Sequence, residues 1–304
     1  MMVKSVMVPV DASPFAESAL RYALALVRAA NARLHVVLVH ETPALVERAT
    51  TLGSELLEPQ QRQAEEEYLG ALVERLSTED GTAAERSLLT GVPASALAEF
   101  ARRRNIDLIV MSTHGRGPFN RLWLGSVADG LIRRSRVPVL LVRPTDSGAA
   151  PTAAPDRRVL VAVDGSEAGE IALAFGAQLC RLTGAACTVI RVVVPPAHVI
   201  TSRIPDTARM VREKTEQASH QAEQYLRSVS ARVGTLPDST RTEVVTGTDV
   251  ATAILRCAET EGADLIAIGT RGHGGAARMV LGSVADKVIR GSPVPVLVCP
   301  APKR

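Results

Sequence analysis

Ala263–Pro300, ADLIAIGTRGHGGAARMVLGSVADKVIRGSPVPVLVCP, has an echo at Ile106–Pro144, IDLIVMSTHGRGPFNRLWLGSVADGLIRRSRVPVLLVRP. Each begins with a short unbroken apolar run after an aspartate, Leu265–Ile268 and Leu108–Met111. Runs this short suit a parallel strand buried on both faces. A polar, glycine-bearing loop follows, then Gly282-Ser283 or Gly125-Ser126. Val284, Val288 and Ile289 then recur at helical spacing, as do Val127, Leu131 and Ile132, before a closing Pro-Val apolar run. The reading is strand, loop, helix, strand, with glycines where strand gives way to helix.

A helix start has backbone N–H groups without partners and a partial positive charge. Glycine lets backbone approach a ligand closely and adopt positive φ. Together they make a phosphate site. Ser126 and Ser283 are expected at the N-cap, either capping the helix or donating to a phosphate oxygen.

The spacing is Gly269-x-x-Gly272, nine residues, Gly282-Ser283 in one copy and Ser112-x-x-Gly115, nine residues, Gly125-Ser126 in the other. This resembles the nucleotide-binding signature of the universal stress protein family, in its tandem form with two such domains per chain. The resemblance covers nearly the whole sequence. It implies a Rossmann-like fold akin to the adenine nucleotide alpha hydrolases. It also implies binding of ATP, with AMP or ADP as alternatives and Mg2+ accompanying ATP.

The rest of the chain repeats in the same way. Asp11 and Asp164 lie 153 residues apart, whereas Gly115 and Gly272, and Pro138 and Pro295, lie 157 apart. A period this long means duplicated domains rather than a solenoid. The expected division is 1–144, a linker rich in Pro, Ala and small polar residues at 145–156, and 157–304. In the first half, strands are expected at Val3–Val10, Leu34–Val39 and Glu85–Thr90. Helices are expected from Ser13-Pro14 to about Ala30, over Gln60–Leu76 with an acidic face of Glu65, Glu66 and Glu67, and up to Arg102-Arg103-Arg104. The second half has strands at Val159–Val163, Cys187–Val194 and Arg241–Thr246. Its helices are a Ser166-capped one over Glu170–Leu182, one from Asp206 or Thr207 to about Val233, and Asp249–Glu261. Pro43–Pro59 and Pro195–Pro205 are excursions. Alternating strands and helices predict an α/β fold of two doubly wound, five-stranded parallel sheets, with ligands beyond the strand ends at the topological switch point.

The first and fourth strands flank that point. Asp11 and Asp164 end first strands and can accept from ribose hydroxyls, help hold a metal, or serve a turn before a serine cap. The family resemblance implies that Pro9, Val10 and Asp11, and Ala162, Val163 and Asp164, line the nucleotide. With them go the fourth-strand ends, Met111 and Ser112, and Ile268 and Gly269. It also implies an adenine contact at the end of the second strand, which aligns with Val192 and less closely with Glu41. Ser112 departs from the glycine of the pattern, and positive φ there would cost it about 1 kcal/mol. His114 and Arg271 share one loop position and can donate to phosphate beside Gly115 and Gly272, followed by Gly125, Ser126, Val127, Gly282, Ser283 and Val284. His40, His198 and His220 have no ligand spacing and receive no role.

The 304 residues suffice for two domains, and 46% hydrophobic content supports full cores. A net charge of +3 is small, and 3% aromatics leave little for base stacking, so no nucleic-acid partner is expected. The arginine run at 102–104 reads as cations answering a helix C-terminus. The four cysteines lie in apolar runs without a C-x-x-C pair, as buried free thiols in a reducing cytosol. No run approaches the roughly 20 apolar residues of a membrane span, so the expectation is cytoplasmic with no membrane partner. No P-loop, H-E-x-x-H or G-x-S-x-G is present. Without a carboxylate placed to activate water, binding is the leading reading. A slow ATPase, or a pairing protein whose sites do not bind, is the alternative. The apolar last strands, Val137–Val142 and Val294–Val298, are edges that seek partners. The family resemblance implies that they pair the domains, and a homodimer is also expected.

Overall fold

The computed structural model describes residues 3–41, 54–113, 124–143, 157–196, 205–233, 236–237, 239–270 and 281–301. The chain divides into two compact units, Met2–Ala154 and Pro155–Arg304.

The first unit runs β1 (Ser5–Val10), α1 (Pro14–Ala30), β2 (Arg33–His40), α2 (Ser54–Thr78), β3 (Ala84–Thr90), α3 (Pro93–Arg103), β4 (Leu108–Ser112), α4 (Ser126–Arg134) and β5 (Val139–Val142). Its strands lie in the order β3-β2-β1-β4-β5, all parallel. The second runs β6 (Arg158–Ala162), α5 (Glu167–Thr183), β7 (Ala186–Val193), α6 (Pro205–Val233), β8 (Arg241–Thr246), α7 (Val250–Thr260), β9 (Leu265–Gly269), α8 (Ser283–Gly291) and β10 (Val296–Cys299). Its order is β8-β7-β6-β9-β10, again parallel. The chain order reverses at β1/β4 and at β6/β9, the switch point of each doubly wound sheet.

Burial explains the composition of the strands. All residues of the central strands β1 and β4 are buried, whereas none of the outer strand β3 is. Central parallel strands are covered on both faces by helices and so read as unbroken apolar runs. The aspartate before each fourth strand has a structural task. Asp107 Oδ2 accepts from Lys4 N at 2.8 Å and Ser5 N at 3.0 Å, and Asp264 Oδ2 accepts from Arg157 N at 2.7 Å and Arg158 N at 3.2 Å. Each carboxylate thereby fixes the start of the first strand against the fourth.

Local signals place the helices. Ser13 caps α1 by accepting from Ala16 N, Pro14 follows it, and Asn31 closes the helix in the left-handed region. Ser166 caps α5 by accepting from Gly169 N, so that helix starts at Glu167, ahead of the expected Glu170. The start of α2 at Ser54 corrects the expected excursion up to Pro59, because Pro59 lies inside the helix. A proline there costs one i→i−4 bond, which a helix of 25 residues tolerates. The arginines at the end of α3 are engaged locally: Arg102 and Arg103 pair with Glu99 at 2.6 Å each, and Arg104 lies 5.8 Å from the centre of the Phe100 ring. Cys180, Cys187 and Cys299 are buried and Cys257 half-buried, all as free thiols. Among the described residues, no helix is long and apolar enough to cross a membrane.

Candidate functional site

The site is built where β1 and β4, or β6 and β9, end side by side. Met7 is in register with Ile109, and Ala162 with Ile268. Continuing those registers brings Asp11 level with Thr113 and Asp164 level with Thr270. Past this point the chain leaves the sheet and returns pinched. Gly125 N donates to Thr113 O at 2.9 Å, and Gly282 N donates to Thr270 O at 2.8 Å. A Cβ on Gly125 would stand 3.1 Å from that Thr113 oxygen, so close backbone approach is what calls for glycine. The loops between, with His114, Gly115, Arg271 and Gly272, lie outside the described residues.

The caps of α4 and α8 correct the expectation for the serines. Gly125 and Gly282 are the N-caps and Ser126 and Ser283 the first helical residues. Neither helix receives a side-chain cap, and both serines are exposed. Each helix start therefore keeps its N–H groups unanswered by a capping side chain. The acidic residue in each first turn is neutralised within its own helix: Asp129 pairs with Arg133 at 2.8 Å and Asp286 with Arg290 at 2.9 Å. Such a helix start favours an anion. Val127 is half-buried and Val284 36% exposed, so the apolar face of α8 rests on Ala285, Val288 and Ile289.

The aspartates are engaged in the turn. Asp11 Oδ1 accepts from Ser13 N at 3.0 Å and Ser13 Oγ at 2.6 Å, and Asp164 Oδ1 accepts from Ser166 N and Oγ at the same distances. Each carboxylate aims the serine that caps the first helix. The left-handed residue lies between them: Ala12 at φ 62° and Gly165 at φ 90°. This corrects the expectation of positive φ at the strand-four end and helix start, since Gly125 and Gly282 sit at −59° and −62°. Gly269 is needed for space instead, because a Cβ there would fall 2.8 Å from the backbone of Ala168 and Gly169. Ser112 is the last residue of β4 and is buried, without positive φ, so the expected penalty does not arise. Pro9, Val10, Met111, Val163 and Ile268 are buried, so what these positions can offer at the strand ends is backbone; Ala162 is half-buried.

The second-strand ends correct the alignment of Val192 with Glu41. His40 O accepts from Gly91 N, and Val193 O accepts from Gly247 N, so His40 corresponds to Val193. Val192 then corresponds to Val39, and exposed Glu41 to Val194, itself 46% exposed.

Several residues were not singled out in the sequence. On α2, Tyr68 donates to Glu17 Oε1 at 2.8 Å and Arg75 pairs with the same carboxylate. Burial and the bond to Glu17 push the Tyr68 phenol well above its usual range. In the second unit Glu170 pairs with Arg232 at 2.8 Å, and Arg191 lies 4.5 Å from the Tyr225 ring centre. The Glu-Tyr-Arg sets sit at matching places in the repeat, and that recurrence was the available signal. The expected acidic face of α2 is also corrected. Glu65 is buried, with its Oε2 2.7 Å from His40 Nδ1 and its Oε1 accepting from Gln61 Nε2 at 3.0 Å, so only Glu66 and Glu67 face solvent. Matching buried Leu69 and Leu72 with Leu226 and Val229 puts Ala222 at the place of Glu65 and Thr215 at that of Glu58. His40, given no role from sequence, is thus one half of a buried pair that the second unit replaces with Val193 and Ala222.

Comparison with known proteins agrees with this architecture. A universal stress protein of Mycolicibacterium smegmatis is 26% identical over 96% of this chain and 96% of its own length. One of Methanocaldococcus jannaschii is 31% identical over 46% of this chain and 82% of its own length. The crystal structure of a universal stress protein from Archaeoglobus fulgidus covers 99% of this chain and 97% of its own, at 24% identity and a TM-score of 0.67, and so shares the fold. The model of the universal stress protein family matches residues 2–143 and again 156–300. The chain belongs to the universal stress protein family and carries the family's domain twice.

Proposed function

We propose that the chain is an adenine-nucleotide-binding regulatory module of the stress response, acting in the cytoplasm. ATP is its first ligand and AMP or ADP are alternatives. What carries this reading is the uncapped helix start at Gly125-Ser126 and Gly282-Ser283, held beside the end of a first strand that an aspartate follows in the turn. Phosphates would meet the first-turn N–H groups and the exposed serine hydroxyls, with His114 or Arg271 as further donors. Asp11 and Asp164 each accept from the capping serine through Oδ1, and the same carboxylates are the candidate contacts for ribose or for Mg2+ accompanying ATP. The proposal includes pairing of the halves through their last strands, and a homodimer.

Equilibrium binding of labelled ATP to the purified chain tests it. Saturable binding that disappears in a Gly115→Val, Gly272→Val double variant is expected. Absence of saturable binding in the parent chain would leave a paired scaffold as the better account. A phosphate-release assay with an Asp164→Ala control separates the slow-ATPase alternative, and light scattering checks the dimer.

A further inference from the structure

We propose that His40 and Glu58 form a binding site for a divalent transition cation, represented by Zn2+, in the first domain alone. His40 is 1% exposed, and its Nε2 has no hydrogen-bond partner. Buried polar atoms are normally satisfied, so this nitrogen asks for an occupant. Its other nitrogen is already committed to Glu65, which accepts on both oxygens. The Nδ1 proton therefore points at Glu65, and Nε2 faces the carboxylate of Glu58.

The gap between Nε2 and Glu58 Oε1 is 3.8 Å. That is too long for a hydrogen bond, which closes at about 2.7–3.2 Å. Two zinc–ligand bonds of about 2.0–2.1 Å at the tetrahedral angle set their donors about 3.3–3.5 Å apart, so the exposed Glu58 carboxylate would draw in by a few tenths of an ångström. A cation between the two atoms would satisfy Nε2 with little side-chain movement. The arrangement behind the imidazole also fits: a ligating histidine typically gives its second N–H to a carboxylate, which fixes the ring and raises its basicity. An imidazole with a carboxylate selects zinc and its neighbours over magnesium or calcium. Glu58 is 47% exposed, which provides a way in. Arg62, one turn along α2, is turned to Glu66 and Thr90 rather than into the gap. Among the described residues no three His, Cys, Asp or Glu side chains are grouped to hold a metal. His40 and Glu58 are the two protein ligands of the proposed site, with water completing the shell and binding exchangeable. The second domain has Val193, Thr215 and Ala222 at these places and can form no such site.

The test is calorimetric titration of ZnCl2 into the chelator-stripped, full-length chain. Wild type is expected to take up one equivalent that His40→Val lacks. Glu58→Gln should weaken that equivalent at least tenfold, and Glu65→Gln by about 10–100-fold through loss of the ring's orientation. Circular dichroism checks that each variant is folded. Should His40→Val fail to fold, Glu58→Gln decides, because that side chain is on the surface. Equal stoichiometry and affinity in wild type and Glu58→Gln, or no zinc uptake by wild type, overturns the proposal and leaves His40 as a purely structural ion-pair partner.

Discussion

His40→Val combined with Glu65→Ala rebuilds in the first domain the apolar arrangement that the second domain already carries at Val193 and Ala222. The His40 and Glu65 side chains are 2% and 9% exposed, so each single substitution strands a polar group away from water. Removing one partner of a buried pair costs up to about 3–5 kcal/mol, and access to solvent through Glu58 reduces this to about 2 for either single. The double variant strands nothing. It loses side-chain volume, which costs about 1 kcal/mol after partial collapse. The coupling between the two substitutions is then about 3 kcal/mol, at the upper end for residues in contact. Unfolding in urea is followed by circular dichroism and by the fluorescence of Trp123, the single tryptophan of the sequence, which lies in its first half. The measurement is made with chelator present, comparing midpoints at constant slope. A double variant as unstable as the two singles added together would refute the idea that the pair is held by mutual satisfaction.

Three further outcomes are expected. Ala12→Gly should stabilise and Gly165→Ala destabilise, each by about 0.5–1 kcal/mol, since both positions are left-handed and the relief of strain outweighs the added freedom of the unfolded glycine chain; parallel thermal melts check the opposite signs. Ser13→Ala removes the cap of α1 and the hydroxyl that donates to Asp11, and should cost about 1 kcal/mol by urea denaturation. His35 is held below its ordinary pKa of 6.5, chiefly by burial, with Arg104 and Arg33 adding to the effect and Glu85 opposing it. The unfolded chain therefore binds the extra proton first. Stability contributed by neutral His35 is full above 6.5 and falls as pH drops below it, and His35→Leu should flatten that slope in a pH series of urea midpoints.

Much of the molecule was legible locally. Apolar runs such as Leu108–Met111 and Leu265–Ile268 announce parallel strands because both faces of such strands are covered. The Ser13-Pro14 pair marks a helix start by the same backbone chemistry that operates in the fold. The twofold recurrence of a glycine followed, after nine intervening residues, by Gly-Ser, Gly115 to Gly125-Ser126 and Gly272 to Gly282-Ser283, located the pinched turns at Thr113–Gly125 and Thr270–Gly282. What misled was local rule against wider context. Pro59 reads as a stop, yet sits inside α2. Ser126 and Ser283 read as caps, yet the glycines before them take that place. Ala12 hides a left-handed turn that Gly165 makes visible at the matching position.

Periodicity and spacing by themselves determined the duplication, the α/β alternation and the strand ends at which a ligand would sit, because those depend on neighbours a few residues away. The tertiary structure alone decided that Glu65 turns inward to His40 across 25 residues of sequence, and that Asp11 and Asp164 are spent partly on aiming a helix cap. Which face of a helix meets which strand is set by packing, and only packing tells a solvated carboxylate from one that holds an imidazole.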